Sequence, residues 1–137
     1  MSEQVLIHPP TQDDPLRAAL DSISEGFQII DPEWKYVYVN PAAARHGRRD
    51  AAALIGKPMM EAYPGIDRTP LFEMLRRCME QRTSAVVENQ FAFADGSTQW
   101  FELRIRPVPA GICIYSADIE RRKHPQPLVR RILNLFR

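Results

Sequence analysis

The sequence predicts an α+β fold in which a five-stranded antiparallel sheet carries short helices on one face. An N-terminal amphipathic helix and a basic C-terminal helical tail flank this sheet. The first observation is the order of the signals, which runs helix, two strands, several helices and three strands. The second is Asp95-Gly96, a dipeptide that supplies the positive φ angles of a tight hairpin. The third is clean alternation in the strand after it, with Phe101, Leu103 and Ile105 on one face and Glu102, Arg104 and Arg106 on the other.

The N-terminal helix is predicted at 15–24. Asp14-Pro15 combines a capping residue with a proline at the first helical position, where a missing N–H costs nothing. Its apolar stripe, which must be buried on the far face of the sheet or against a second copy, consists of Leu16, Ala19, Leu20 and Ile23. Residues 1–13 show no periodicity and contain two adjacent prolines, which predicts a flexible arm.

Two strands are predicted next, at 27–30 and 36–39, joined by a stretch with turn chemistry. The second strand is apolar on both faces, so it is expected to be covered on both sides or to line a cavity. Short helices follow the capping residues Asn40 and Asp50.

The remaining elements complete the predicted body. Residues 57–68 read as irregular, and Thr69-Pro70 begins the longest helix, which runs to about Arg82. The last three strands are expected at 86–94, 98–108 and 112–119. The domain proper is therefore predicted over 14–120.

The charges are distributed unevenly. Residues 121–137 contain six basic side chains and no acid, while residues 1–120 hold the other 12 basic and all 17 acidic residues, a net charge of −5. His124-Pro125-Gln126-Pro127 interrupts any helix that leaves the last strand. Residues 128–137 are predicted to form a second, short amphipathic segment, which would be only marginally stable as an isolated helix. We expect the tail to dock, first of all on the acidic body, or else on a second copy, a partner or an acidic membrane surface.

Composition excludes several classes of protein. The chain of 137 residues has two cysteines, which is too few for a disulfide scaffold and suits a reducing cytosol. No apolar run approaches the roughly 20 residues of a membrane span, and the N-terminus lacks a signal-peptide profile. A cytoplasmic protein without a transmembrane segment is the expectation.

Several short motifs follow one another from about Leu16 to Lys123: Glu25-Gly26, Ile30-Asp31, Trp34 to Ala43, Leu54 to Pro58, Asp95-Gly96, Trp100 to Glu102 and Asp118 to Lys123. In this order they resemble the PAS family. The chain is similar to PAS input modules of bacterial sensor histidine kinases and related regulators.

The resemblance implies a sensory and interaction module that is non-catalytic and often a homodimer. Such domains bind a small molecule between sheet and helices, or act through protein contacts with a partner such as a histidine kinase or a regulator. In the family the last strand commonly ends in Asp-Ile-Thr and passes the signal on. Here Asp118 and Ile119 match and Glu120 replaces the threonine, so these three residues are the predicted signal relay.

No cofactor is predicted. Flavin-binding photosensory members carry a reactive cysteine before the long helix, and residues 56–61 contain none. Haem-binding members commonly use a histidine on that helix, and residues 70–82 contain none. His46 is expected at the surface, and Cys78 and Cys113 in the apolar core.

No metal site is predicted, because no His, Cys or Asp cluster has ligand spacing. Tyr38, Arg104 and Arg106 are the candidate ligand-binding residues. The arginines form either a solvated charged face or, if that face lines the cavity, a fork for a carboxylate. Trp34 and Trp100 are expected to be packing anchors.

The sequence therefore predicts a sensory module that is not an enzyme, since any kinase activity would need a separate chain or domain. Two alternatives stay open at this point. One is a basic-tailed adaptor for nucleic acid or a membrane surface, and the other is a small-molecule enzyme on a cupped sheet.

Overall fold

A five-stranded antiparallel sheet forms the centre of the protein in the computed structural model, which describes residues 15–123. The helices are α1 (Pro15–Ser22), α2 (Pro41–Gly47), α3 (Ala51–Leu54), α4 (Met59–Ala62), α5 (Pro70–Gln81) and α6 (Glu120–Lys123), with a 3₁₀ turn at Ile66–Arg68. The strands are β1 (Gly26–Ile30), β2 (Tyr36–Val39), β3 (Ala85–Ala92), β4 (Thr98–Val108) and β5 (Gly111–Asp118). The predicted arm at 1–13, the Asp14 cap and the tail from His124 onward lie outside the described residues.

The strands lie in the order β2-β1-β5-β4-β3, and all neighbours are antiparallel. The first and last strands of the chain are thus brought together at the centre, and β3 is an edge strand. The predicted α+β class and the five-stranded sheet are confirmed.

Capping residues explain where two of the helices begin. The Asn40 side chain accepts a hydrogen bond from Ala43 N–H at the start of α2, and the Thr69 hydroxyl accepts one from Phe72 N–H at the start of α5. Both caps precede a proline, which has no N–H to leave unpaired.

Residues 57–68 differ from the prediction. They contain α4 and the 3₁₀ turn rather than irregular chain. Each piece is only three or four residues long, so neither shows a helical period in sequence, and the intervening Tyr63-Pro64-Gly65 signals only a break.

The helices from α2 to α5 cover one face of the sheet, here called the inner face. Its core includes Ile30, Ile105 and Ile112 from three strands, all fully buried, and Leu75 and Cys78 from α5. Apolar burial of this kind is the main stabilising contribution to the fold.

The opposite, outer face is covered in part by α1. Phe27, Tyr38 and Cys113 form a second buried cluster there, and Leu20 of α1 packs against it. The Tyr38 hydroxyl donates a hydrogen bond of 2.7 Å to Asp21. Of the stripe predicted for the N-terminal helix, Leu20 packs on the far face of the sheet, whereas Leu16 and Ile23 stay exposed.

Within residues 15–123, no helix combines the length and the apolar character needed to cross a membrane.

Candidate functional site

A small cavity lies between the inner face of the sheet and the helices. Its volume is about 80 Å³. Most of its wall is apolar and comes from α3, α4, α5, β4 and β5, with Leu54, Met59, Leu75, Phe101, Leu103 and Ile114 among the lining side chains. Apolar walls of this kind favour a ligand, or part of one, that has little hydrogen-bonding capacity.

Polar side chains occupy one side of the cavity. Gln28, His46 and Ser116 line it, and His46 Nδ1 lies 2.8 Å from Ser116 Oγ. The His46 ring also packs on Phe101, with centroids 4.8 Å apart. Burial lowers the pKa of His46 against the opposing effect of Asp118, so the neutral imidazole is favoured. A neutral imidazole can donate a hydrogen bond to a ligand or accept one from it.

The surface position predicted for His46 is wrong, because the ring is half-buried and faces the cavity. Two patterns could have placed these polar residues. His46 lies three residues after buried Ala43 on one helix, and Ser116 continues the alternation of Ile112 and Ile114.

Gly26 makes room for the His46–Ser116 pair. A Cβ atom at this position would overlap with Ser116 Oγ and would lie 3.0 Å from His46 Nδ1. The glycine is thus explained by the close approach of two polar side chains.

Tyr63, at the end of α4, lines the cavity. Its hydroxyl donates a 3.0 Å hydrogen bond to the Gly47 carbonyl, and its ring meets Phe91 edge-on at 5.5 Å. A Cβ atom on Gly47 would collide with that hydroxyl. Burial raises the pKa of Tyr63, so it stays a protonated donor at neutral pH.

A wider groove of about 700 Å³ lies outside this point, between β3 and the residues that follow α2 and α4. The cavity and the groove share five lining residues, Gly47, Tyr63, Ile66, Leu71 and Phe91.

Two arginines line the groove. The Arg48 guanidinium stacks 3.6 Å from the centre of the Phe93 ring and hydrogen-bonds to Ser97 Oγ at 2.7 Å and to Asp95 Oδ2 at 3.3 Å. The Arg49 guanidinium lies 5.4 Å from the centre of the Tyr63 ring and donates to the Ala62 carbonyl at 3.0 Å. The sequence reasoning did not single out either residue.

The predicted ligand-binding residues do not line the cavity. Tyr38 packs on the outer face against α1, and Arg104 and Arg106 lie on that same face because they alternate with the inward-facing Leu103 and Ile105. Arg104 forms a 3.1 Å ion pair with Glu102. A molecule in the cavity would therefore not meet these three side chains.

The predicted relay residues form hydrogen bonds with the first residues of β4. Ile119 N–H donates to the Trp100 carbonyl at 3.1 Å, and Trp100 N–H donates to Glu120 Oε2 at 2.7 Å. Asp118 accepts hydrogen bonds from Gln99 Nε2 at 2.7 Å and from Glu120 N–H at 2.9 Å. The Glu120 side chain thus binds a backbone N–H of β4 from the position at which the family commonly has threonine.

Both tryptophans that were predicted to be packing anchors contact other side chains. Trp34 packs on Phe72, and the Trp100 ring contacts the Lys123 ammonium at 4.5 Å.

Cys78 and Cys113 are free and buried, and burial raises the pKa of both thiols, which keeps them protonated and unreactive. Among residues 15–123 no group of His, Cys, Asp and Glu is placed to hold a metal ion.

Fold and site together define an α+β domain that encloses a small cavity between short helices and one face of an antiparallel sheet. The family model described as the PAS fold matches residues 20–124. The chain belongs to this family, whose members are in general sensory and signalling modules rather than enzymes. A comparison with curated protein sequences finds no match.

Solved structures show the same fold. An RNA-binding light-oxygen-voltage receptor is 20% identical with a TM-score of 0.66, and the match covers 88% of this chain and 36% of that one. The chain thus spans about a third of that receptor. A PAS domain from Colwellia psychrerythraea is 16% identical (TM-score 0.64; 76% and 93% covered). A domain of a sensory box sensor histidine kinase/response regulator from Geobacter sulfurreducens is 21% identical (TM-score 0.61; 75% and 90% covered).

One of these neighbours is a light-oxygen-voltage receptor, so cofactor use is compatible with the fold. The absence of flavin and haem here stays a prediction from the sequence.

Proposed function

We propose that this chain is a non-catalytic sensory domain that binds a small, mostly apolar molecule in the inner cavity and transmits its presence through the segment after β5. The cavity is the observation that supports this proposal. Protein interiors leave few voids larger than a water molecule, whereas this cavity, at about 80 Å³, has the volume of roughly two or three waters.

The relay would begin at Ser116. This residue lines the cavity, is paired with His46, and lies on β5 two residues before Asp118. A ligand in the cavity would contact His46 and Ser116 and favour one arrangement of the pair over another. It would therefore bias the position of the strand end at Asp118, Ile119 and Glu120, in proportion to its difference in affinity for the two arrangements.

The segment α6 is coupled to the cavity walls by a second route. Glu88 and Glu102 lie directly opposite each other on β3 and β4, an arrangement that is destabilising for like charges. Arg122 lies 2.7 Å from Glu88 and 3.4 Å from Glu102, and Lys123 lies 2.6 Å from Glu88. These ion pairs hold α6 on the two strands whose inward side chains line the cavity.

The proposed setting is a cytoplasmic homodimer that signals to a partner such as a histidine kinase or a regulator. The solved domain from a sensor histidine kinase/response regulator supports this choice of partner. Transmission through the tail fits the contacts of α6, because a body with a net negative charge attracts its basic residues.

The two alternatives receive no support from the described residues. Arg122 and Lys123 are held by acids of the body rather than presented for phosphates. The residues that line the cavity include no Asp or Glu that could form an acid–base pair with His46.

Native mass spectrometry of the freshly purified full chain tests the proposal. We expect a small-molecule adduct that is lost in Leu103→Phe, which fills the cavity, and kept in Val86→Phe, which adds similar bulk on the exposed outer face. An adduct retained equally by both variants would contradict binding in the cavity. An absorption spectrum of the same sample tests the prediction of no flavin or haem.

A further inference from the structure

The inner cavity is small for a ligand site. Protein sites for small molecules usually measure roughly 300–1,000 Å³, and the cavity measures about 80 Å³. The groove, at about 700 Å³, lies within that range. Because the two share five lining residues, a single ligand can extend from one into the other.

Tyr63 lies at the junction of the two compartments. Its hydroxyl donates to the Gly47 carbonyl, its ring meets Phe91 edge-on, and the Arg49 guanidinium lies 5.4 Å from the ring centre. A single tyrosine hydrogen bond of this kind contributes only about 1 kcal/mol net.

The chemistry of the two ends differs. The cavity end is mostly apolar, whereas the groove end has Arg48 and Arg49. The charge of Arg48 is partly neutralised by Asp95, with which it forms an ion pair. Arg49 forms no ion pair with a carboxylate among residues 15–123, and its guanidinium contacts the Ala62 carbonyl at 3.0 Å and the Tyr63 side chain.

The geometry points to a medium-chain carboxylic acid as the class of ligand, with its alkyl end in the cavity and its carboxylate on the Arg49 guanidinium. This inference rests on the proposed function, since it assumes that the cavity binds a ligand. It adds the groove as the second half of the site and assigns Arg49 as the specificity-determining residue. Tyr63 then lies beside the ligand where it passes from the cavity into the groove.

Titration of the full chain with octanoate and with 1-octanol tests the inference, because the two probes share an alkyl chain and differ in charge. We expect octanoate to bind about fivefold to tenfold more tightly than 1-octanol, as a charge-assisted hydrogen bond predicts. Arg49→Gln should remove this preference by weakening octanoate more than 1-octanol. Arg77→Gln, which deletes the same charge at an exposed position of α5 outside the groove, should leave the preference intact.

Leu103→Phe separates the failure of this inference from that of the proposed function. We expect it to weaken both probes by a similar factor, since it fills the compartment that both alkyl chains share. If it weakens both while Arg49→Gln changes neither, cavity binding holds and the carboxylate site is overturned. If neither probe binds the wild-type chain at millimolar concentration, the ligand class is overturned. If both probes bind and Leu103→Phe affects neither, the proposed cavity site fails as well.

Discussion

The inner and outer faces of the sheet are built from the same strands but bury their side chains differently. The inner face carries the large core around Ile105 and Ile112 and also encloses the cavity. The outer face has a smaller cluster around Tyr38 under α1, and charged pairs such as Glu88 with Arg122 under α6. The helices at both ends of the described residues, α1 and α6, therefore rest on the face opposite the cavity.

This division suggests how sensing and transmission are separated. Under the proposed function, the cavity on the inner face can gain or lose a ligand with little exposure of core residues. The outer face has ion pairs and partly covered helices, whose contacts break and re-form at a low cost in free energy. The connections between the faces are few and specific. They include the strand end after Ser116 and the hydrogen bonds of Asn40.

The largest expected effect compares a core position with an exposed one. Ile105→Ala removes a fully buried side chain from the inner face and should lower the free energy of unfolding by about 3 kcal/mol. Val86→Ala, on a side chain that is 67% exposed on the outer face, should change it by less than about 0.5 kcal/mol. Urea denaturation of both variants measures the difference, and equal destabilisation would show that the two faces do not differ in burial as described.

Asn40 gives the second largest effect because it joins the two faces. Its Oδ1 accepts from Phe27 N–H and Ala43 N–H, both at 2.8 Å. Its Nδ2 donates to the carbonyls of Leu20 at 3.1 Å, in α1, and of Glu25 at 3.0 Å. The side chain is fully buried, so no water replaces these partners on truncation.

We expect Asn40→Ala to cost about 2–3 kcal/mol, from a lost helix cap and from buried backbone groups left unpaired. Thr69→Ala removes the cap of α5, which is more exposed, and should cost about 1 kcal/mol. Thermal and urea unfolding measure both. A loss at Asn40 no larger than that at Thr69 would show that the bonds to α1 and β1 add nothing.

The sequence predicted the sheet better than the site, and β4 shows why. Its bounds of 98–108 were predicted correctly, because an Asp-Gly turn fixes its beginning and its apolar and charged residues alternate strictly. The same alternation shows that Arg104 and Arg106 share a face. It leaves open which face a cavity adjoins, since that depends on where the helices cross.

Tyr38 illustrates a different limit. A strand that is apolar on both faces gives no period from which to infer direction, and a bulge between Ile29 and Ile30 shifts the register of the pair. Arg49 and Tyr63 meet only through the folding of two short segments after α2 and α4. No local pattern in the sequence predicts that contact.

The smallest expected effect is on the pH dependence of stability, to which one group on each face contributes. Burial lowers the pKa of His46 on the inner face, so the unfolded chain takes up a proton before the folded one does. Stability should therefore decrease as the pH falls below about 6.5, the ordinary value for histidine. Lys123 and Arg122 lower the pKa of Glu88 on the outer face, so its contribution is present above about pH 4.3 and is lost only as the pH falls through its lower folded value.

Unfolding curves at pH 7.5, 5.5 and 3.5 separate the two groups. His46→Gln should flatten the decrease between pH 7.5 and 5.5, and Glu88→Gln should flatten part of the decrease between pH 5.5 and 3.5. The first change is small because the imidazole is only half-buried, and the second should shrink further in high salt because exposed ion pairs are screened. A decrease between pH 7.5 and 5.5 that is unchanged in His46→Gln would mean that this ring titrates as freely in the folded protein as in the unfolded chain, and the cavity would then be wetter than its apolar lining indicates.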